Sequence, residues 1–197
     1  MEIRPFRRGD AEETARVIAE TLRVSNGKDY PRRFIEENIA SHSARELLKA
    51  ADERHIYVVC DGERIIGTGG IAGFWGSLTE SILLTIFVLP GYQGKGAGRM
   101  IIETLEKDEY FLRARRVEIP SSVTAVGFCR HMGYDFKNGI AEPEDGAICR
   151  LEKFRQIVPG MVCLSVPKSI KTGIFADFDR FNLKHISFAF RNGAHER

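Results

Sequence analysis

The sequence predicts a mixed α/β domain with a central, mostly antiparallel sheet. Three observations predict it. The apolar period changes from helical to alternating near residue 55, Ser81 to Leu89 forms a nearly continuous apolar run, and helices alternate with strands after that run.

Taken in order, Glu2 to Phe6 reads as a short first strand. Asp10 is placed to cap a helix whose first turn carries Glu12 and Glu13, where carboxylates favour the positive end of the helix dipole. Ala11, Ala15, Ile18 and Leu22 share one face of that helix, and Asn26-Gly27 breaks it. Pro31 opens a second helix through Phe34, Ile35 and Ile39, and Ser43-Ala44-Arg45-Glu46 is a capping box that starts a third. His55 to Cys60 is a strand, Asp61-Gly62 a hairpin turn, and Arg64 to Ala72 the returning strand. The apolar run to Leu89 is the central strand, ended by Pro90-Gly91. One helix is expected from about Gly96 to Glu109, then a short strand at Val117 to Pro120. Ser122 starts a further helix that stops at Gly133, and Tyr134 to Phe136 and Ala147 to Glu152 are the last strands.

The chain has 197 residues, 43% hydrophobic and 28% charged, with a net charge of +2, which fits one soluble domain with a tail. Basic and acidic residues are interspersed, so no nucleic-acid face is expected. Cys60, Cys129, Cys149 and Cys163 lack paired spacing, which argues against a Cys-x-x-Cys metal site and a disulfide framework. No metal is expected, no apolar leader or membrane span is visible, and a cytoplasmic location follows as an expectation.

The chemistry lies in Val88-Leu89-Pro90-Gly91-Tyr92-Gln93-Gly94-Lys95-Gly96-Ala97-Gly98. Glycines 94, 96 and 98 let backbone N–H groups approach an anion at a helix N-terminus, and Lys95 and Arg99 can reach outlying phosphates. A Walker loop needs a Gly-Lys-Ser/Thr ending that Lys95-Gly96 does not supply. A dinucleotide fingerprint has Glu118 at a suitable distance, yet its glycine spacing differs and the preceding strand closes an antiparallel meander. A purely structural glycine turn is a further reading.

The segment resembles motif A of the GNAT acetyltransferase superfamily, V-x-P-x-x-(Q/R)-x-x-G-x-(G/A), at Val88, Pro90, Gln93, Gly96 and Gly98. The family's last-helix pattern matches at Ala125, Phe128, Gly133 and Tyr134, with Cys129 where the pattern has Tyr. The resemblance covers roughly residues 2 to 154 and implies a sheet splayed between its fourth and fifth strands, flanked by helices. It implies acetyl-CoA as co-substrate, with its pyrophosphate on the backbone of Gln93, Gly94, Lys95, Gly96, Ala97 and Gly98. The arm of the cofactor would pair with the strand edge at Ile86 to Val88, and the Val88 N–H would polarise the thioester oxygen. Acetyl would pass directly to an amine of a small molecule or peptide.

Three positions depart from the family. Cys129 replaces the Tyr that many members use to protonate the leaving thiolate. It is either a thiol proton donor or a small core residue without that role. Ser122 sits where many members carry an Asn near CoA, and is otherwise a helix cap. The carboxylate that many members place on the fourth strand would fall near Leu84 or Thr85, so Glu80 and Glu118 become the candidate bases, each also readable as a paired surface charge. With both proton-transfer positions, the acid and the base, unusual, a non-catalytic acyl-CoA-binding sensor or interaction module is the alternative to an enzyme. The acceptor is expected between the 24–34 connection, the Phe74-Trp75 turn and the acidic 137–146 loop. Residues 156 to 197, with Phe175, Phe178, Phe181, Phe188 and Phe190, form an extension expected to pack on the domain or on a second copy as a homodimer.

Overall fold

The structure is a computed structural model in which residues 1–155 are described. The expected packing of 156–197, and any dimer it forms, lies outside the described residues, as does Cys163.

Among the described residues seven strands form one sheet: β1 (Glu2–Pro5), β2 (His55–Asp61), β3 (Arg64–Gly73), β4 (Glu80–Val88), β5 (Arg116–Ser122), β6 (Asp135–Phe136) and β7 (Ile148–Phe154). Their order is β1-β2-β3-β4-β5-β7-β6. Every pairing is antiparallel except β4 with β5, which is parallel. This is the mixed, mostly antiparallel sheet read from the sequence. Among the described residues six α-helices flank it: α1 (Ala11–Thr21), α2 (Arg32–Ser41), α3 (Ala44–Ala50), α4 (Ala97–Leu105), α5 (Glu109–Arg113) and α6 (Val126–His131). Ala97, Ile101, Ile102 and Leu105 of α4 pack with Leu83 and Ile71 on one face, joined by Phe111 and Cys129. On the other face Ile18, Leu22, Phe34, Ile35 and Leu47 from α1, α2 and α3 form a second cluster with Tyr30 and Ala147.

Local differences from the sequence reading have identifiable causes. Asp10 does not cap α1. Its carboxylate takes two hydrogen bonds from Arg4 (2.7 and 2.9 Å) and one from the Arg7 N–H, closing a 3-10 turn ahead of the helix. Asn26-Gly27 does not break α1 directly, because a π-helical segment, Leu22–Asn26, carries the chain on to Gly27. The helix expected over 96–109 is two. Asp108 accepts a hydrogen bond from the Tyr110 N–H and starts α5 anew, while the apolar period runs on through Phe111. Ser43 does cap α3, accepting from the Glu46 N–H. Among the described residues no helix is long and apolar enough to cross a membrane.

Candidate functional site

The pairing of β4 with β5 is confined to Glu80, Ser81 and Ile82 against Arg116, Val117 and Glu118. Beyond Ile82 the two strands diverge, and β4 continues to Val88 without β5 beside it. Along β4, burial is complete at Ser81 to Leu83 and partial from Leu84 to Val88. The splay is therefore a cleft in the sheet, walled on one side by the last half of β4.

Thr85 shapes that wall. It has φ 56°, and the β3–β4 register slips beside it, between Gly70 opposite Leu84 and Thr68 opposite Phe87. A non-glycine residue in the left-handed region marks a bulge, which adds one residue and resets which side chains face which way. Ile86 and Val88 then join Leu83 on the α4 face, and Phe87 joins the α1–α3 face. The backbone direction is fixed by the bonds it makes. The Leu89 N–H donates to Ile66 of β3, so the neighbouring Val88 peptide groups point away from β3, into the cleft. The Gln93 side-chain amide confirms the direction, donating to the Val88 carbonyl at 3.0 Å and to Ser25 Oγ at 2.8 Å.

The same wall runs into an anion cradle. After a 3-10 turn at Pro90–Tyr92, the chain passes through Gly94 (φ 73°) and Gly96 (φ 92°), the latter the N-cap of α4. Only glycine holds those angles without strain. A Cβ at either would meet nothing within 4 Å, so there is open space beside both glycines. The first intrahelical bond of α4 runs from the Met100 N–H to the Gly96 carbonyl. The amides of Ala97, Gly98 and Arg99 thus precede any helical acceptor, as first-turn amides do, and add to the positive end of the helix dipole. Gly98 has a separate role: a Cβ there would sit 3.0 Å from Phe128, so glycine lets α4 and α6 approach. Lys95 and Arg99 are exposed at the rim, and Arg99 lies 3.3 Å from His131 Nε2. Open amides, a dipole end and two cations fit the pyrophosphate expected there.

Across the cleft on the α1–α3 face stands Tyr30. Its hydroxyl accepts from the Val123 N–H at 2.8 Å and donates to the Ala147 carbonyl at 2.6 Å, and its ring stacks on Phe34. The 24–34 connection is thereby tied to the ends of β5 and β7. His42, just past α2, packs edge-on to Phe87, and Arg54 donates to Thr85 Oγ1 at 3.3 Å. Sequence reading missed Tyr30, His42, Arg54 and Ser121. Their roles depend on contacts across the fold, and no local spacing announces them.

The expected proton-transfer residues fare differently. Cys129 is buried on α6 with its S–H toward Ser121 Oγ at 3.6 Å, and burial pushes the thiol up, so it stays protonated at neutral pH. Ser122 precedes a 3-10 turn, Val123–Ala125, and makes no side-chain cap, correcting its helix-capping role. Glu118 is fully buried and is bound by Arg116 (2.8 Å), Lys137 (2.9 Å) and Arg150 (2.6 Å). Burial alone would raise its pKa, but hydrogen bonds from those three cations hold the carboxyl below its ordinary value. A carboxylate so held is a poor base. Glu80 pairs with Arg116 at 3.0 Å at the closed end of the splay. Eight residues at ~3.3 Å each put it ~26 Å along β4 from Val88, out of reach of chemistry there. Both carboxylates belong to an ion-pair network with Glu152 and Glu144 that ties β5 to β4, β7 and the 137–146 loop. That loop's acidic character is thus partly met internally. Among the described residues no cluster of His, Cys, Asp or Glu could hold a metal ion.

The comparisons agree with this geometry. The family model described as the acetyltransferase (GNAT) family matches residues 18–134, and the chain belongs to that family. The fold is similar to the PaiA N-acetyltransferase of Thermoplasma acidophilum in complex with coenzyme A, at 19% identity and TM-score 0.65, over 78% of this chain and 98% of that one. A GCN5-related N-acetyltransferase structure from Rhodopseudomonas palustris gives 19% identity and TM-score 0.64, over 78% and 95%. An aminoglycoside 6'-N-acetyltransferase complexed with coenzyme A gives 16% and 0.60, over 81% and 99%. Among curated proteins, no sequence matches this one.

Proposed function

We propose that residues 1–155 form an N-acetyltransferase that moves acetyl from acetyl-CoA directly to an amine of a small molecule or peptide. One observation carries the reading: the unpaired end of β4 leads straight into the open amides of Gly94 and of Gly96 to Arg99, as one continuous track. The two neighbours solved with coenzyme A share this fold, which supports the same ligand here.

In this reading the amides of Gly94, Gly96, Ala97 and Gly98 hold the pyrophosphate, those of Gln93 and Lys95 being turned back to the Pro90 and Tyr92 carbonyls, with the Lys95 and Arg99 side chains on outlying phosphates. The Ile86 and Val88 edge takes the extended arm as an added strand, and Ser122 lies across the splay from it. The acetyl thioester supplies an electrophilic carbonyl carbon with a fair leaving group. The Val88 N–H stabilises negative charge developing on the thioester oxygen. Holding thioester and amine in one cleft then accounts for much of the rate, and no covalent enzyme intermediate is required.

Release of free CoA thiol from acetyl-CoA, screened against polyamines, amino acids, aminoglycosides and peptide N-termini, tests this. Amine-dependent release, with an acetylated product of matching mass, is expected. Saturable CoA binding without release on any amine would instead favour the sensor or interaction module.

A further inference from the structure

We infer that His42 is the general base of this site, taking the proton from the incoming amine at Nε2. The inference rests on the acetyltransferase reading and adds to it the group that neither Glu80 nor Glu118 can supply.

The tautomer of His42 is fixed by its neighbours. His42 Nδ1 lies 2.8 Å from the Asn38 carbonyl oxygen, four residues back at the end of α2. A carbonyl only accepts, so Nδ1 carries the hydrogen and donates it. Ser41 Oγ, 3.2 Å from the same nitrogen, itself donates to that carbonyl at 2.8 Å and reinforces the arrangement. In the neutral ring the lone pair is then on Nε2, which makes no hydrogen bond among the described residues. A base held in one tautomer by its other nitrogen is the arrangement proton abstraction needs.

Position is the second part. The His42 ring meets Phe87 edge-on, with centroids 5.4 Å apart and planes at 78°. Phe87 lies between Ile86 and Val88, the residues whose backbone edges the cleft. The imidazole thus stands on the α1–α3 face at the step of β4 where the thioester would lie. Cys129, on α6, lies with the opposite-face core. The site accordingly has a base on one side of the sheet and a thiol on the other.

Charge is the third. Around His42, Asn38, Ser41 and Phe87 are uncharged, and Arg54 is the charged group that acts on it. Burial first, and the Arg54 charge after it, hold the imidazole below its ordinary pKa against the bond to Asn38. Neutral His42 is therefore the resting form near pH 7, ready to accept.

The step balances without an added reagent. An ammonium R–NH3+ gives one proton to Nε2, leaving R–NH2 and an imidazolium. The amine nitrogen forms its bond to the acetyl carbon as the carbon–sulfur bond breaks. The second nitrogen proton ends on the departing sulfur, giving CoASH, and the imidazolium returns its proton to solvent.

Two measurements on the full chain decide the assignment. The first is the nitrogen-15 spectrum of the histidine rings, assigned through His42→Gln, followed from pH 5 to 8. A neutral ring protonated at Nδ1, titrating below 6.5, is expected. An Nε2-protonated ring, or one that titrates above that value, overturns the proposal whatever the activity. The second is the pH dependence of kcat/KM with the best amine from the thiol-release screen. His42→Gln should lose about 100-fold at pH 7 and the acidic limb of the profile, while CoA affinity by calorimetry stays within about twofold. Imidazole in solution should restore part of the loss in His42→Ala. Full activity and an unchanged limb in His42→Gln overturn the base assignment alone. A wild type that releases thiol on no amine overturns the acetyl-transfer reading, and His42 as base falls with it.

Discussion

The side-chain amide of Gln93 donates to the backbone carbonyl of Val88 at 3.0 Å, joining the anion loop to the strand edge that precedes it. The bond sets the angle at which β4 hands over to α4, and it leaves the Val88 N–H toward the cleft. Gln93→Ala should lower CoA affinity about fivefold, the equivalent of one net hydrogen bond of about 1 kcal/mol. Gln93→Glu should do worse, because a carboxylate would face both a carbonyl and a phosphate. Isothermal calorimetry on the three proteins checks the order.

Gly96 is tested by alanine as well as by charge. At φ 92° a Cβ meets no neighbour, so the penalty of Gly96→Ala is conformational, about 1–2 kcal/mol. The melting temperature should fall by roughly 2–8 °C, and CoA affinity by about tenfold or more as the amides rotate out of line. Gly96→Glu should abolish CoA binding. Thermal melts with and without CoA separate the two contributions, since a ligand specific for the native state raises the melting point in proportion to its binding.

Much of this site was legible in sequence, and the reason is local. The apolar run to Leu89, the Pro90-Gly91 stop and the spaced glycines each act within a few residues, so strand, turn and loop could be read directly. The bulge at Thr85 could not, because it is a register slip against β3. Glu118 looked like a base because its partners lie elsewhere, Lys137 nineteen and Arg150 thirty-two residues on. His42 gave no signal, since its tautomer and its place beside Phe87 exist only once the residue past the end of α2 meets β4. The false extension of α4 came from an apolar period that ignores the Asp108 cap.

Glu118→Gln should destabilise the fold by about 3–5 kcal/mol, because it leaves Arg116, Lys137 and Arg150 converging on a neutral group. The carboxyl is held below its ordinary value in the folded state. Its contribution is therefore present above the unfolded-state pKa and lost as pH falls through the lower folded one. Urea titrations from pH 7 to pH 3 should show a wild-type decline on the acid side that is shallower in the variant, where the Asp10 contribution remains. Equal stability of the two proteins at pH 7 would contradict the ion-pair role.

Cys129 should matter little to turnover. Its S–H already faces Ser121, and its thiol is pushed up by burial. Cys129→Ala should cost under about tenfold in kcat, since the departing thiolate needs little acid assistance. The same burial predicts slow alkylation by iodoacetamide at pH 8 relative to a free thiol. A loss of several hundredfold with CoA binding intact would make Cys129 the acid.

The central claim is that one track, from the β4 edge through the glycine loop, holds the cofactor. Backbone amide shifts in a proton–nitrogen correlation spectrum, recorded as coenzyme A is titrated into the full chain, test it most directly. Saturable shifts at Ile86, Val88, Gly94, Gly96, Ala97, Gly98 and Arg99 are predicted, with β1 and α3 unchanged. Saturable shifts elsewhere in the domain, with those seven amides still, would contradict the account.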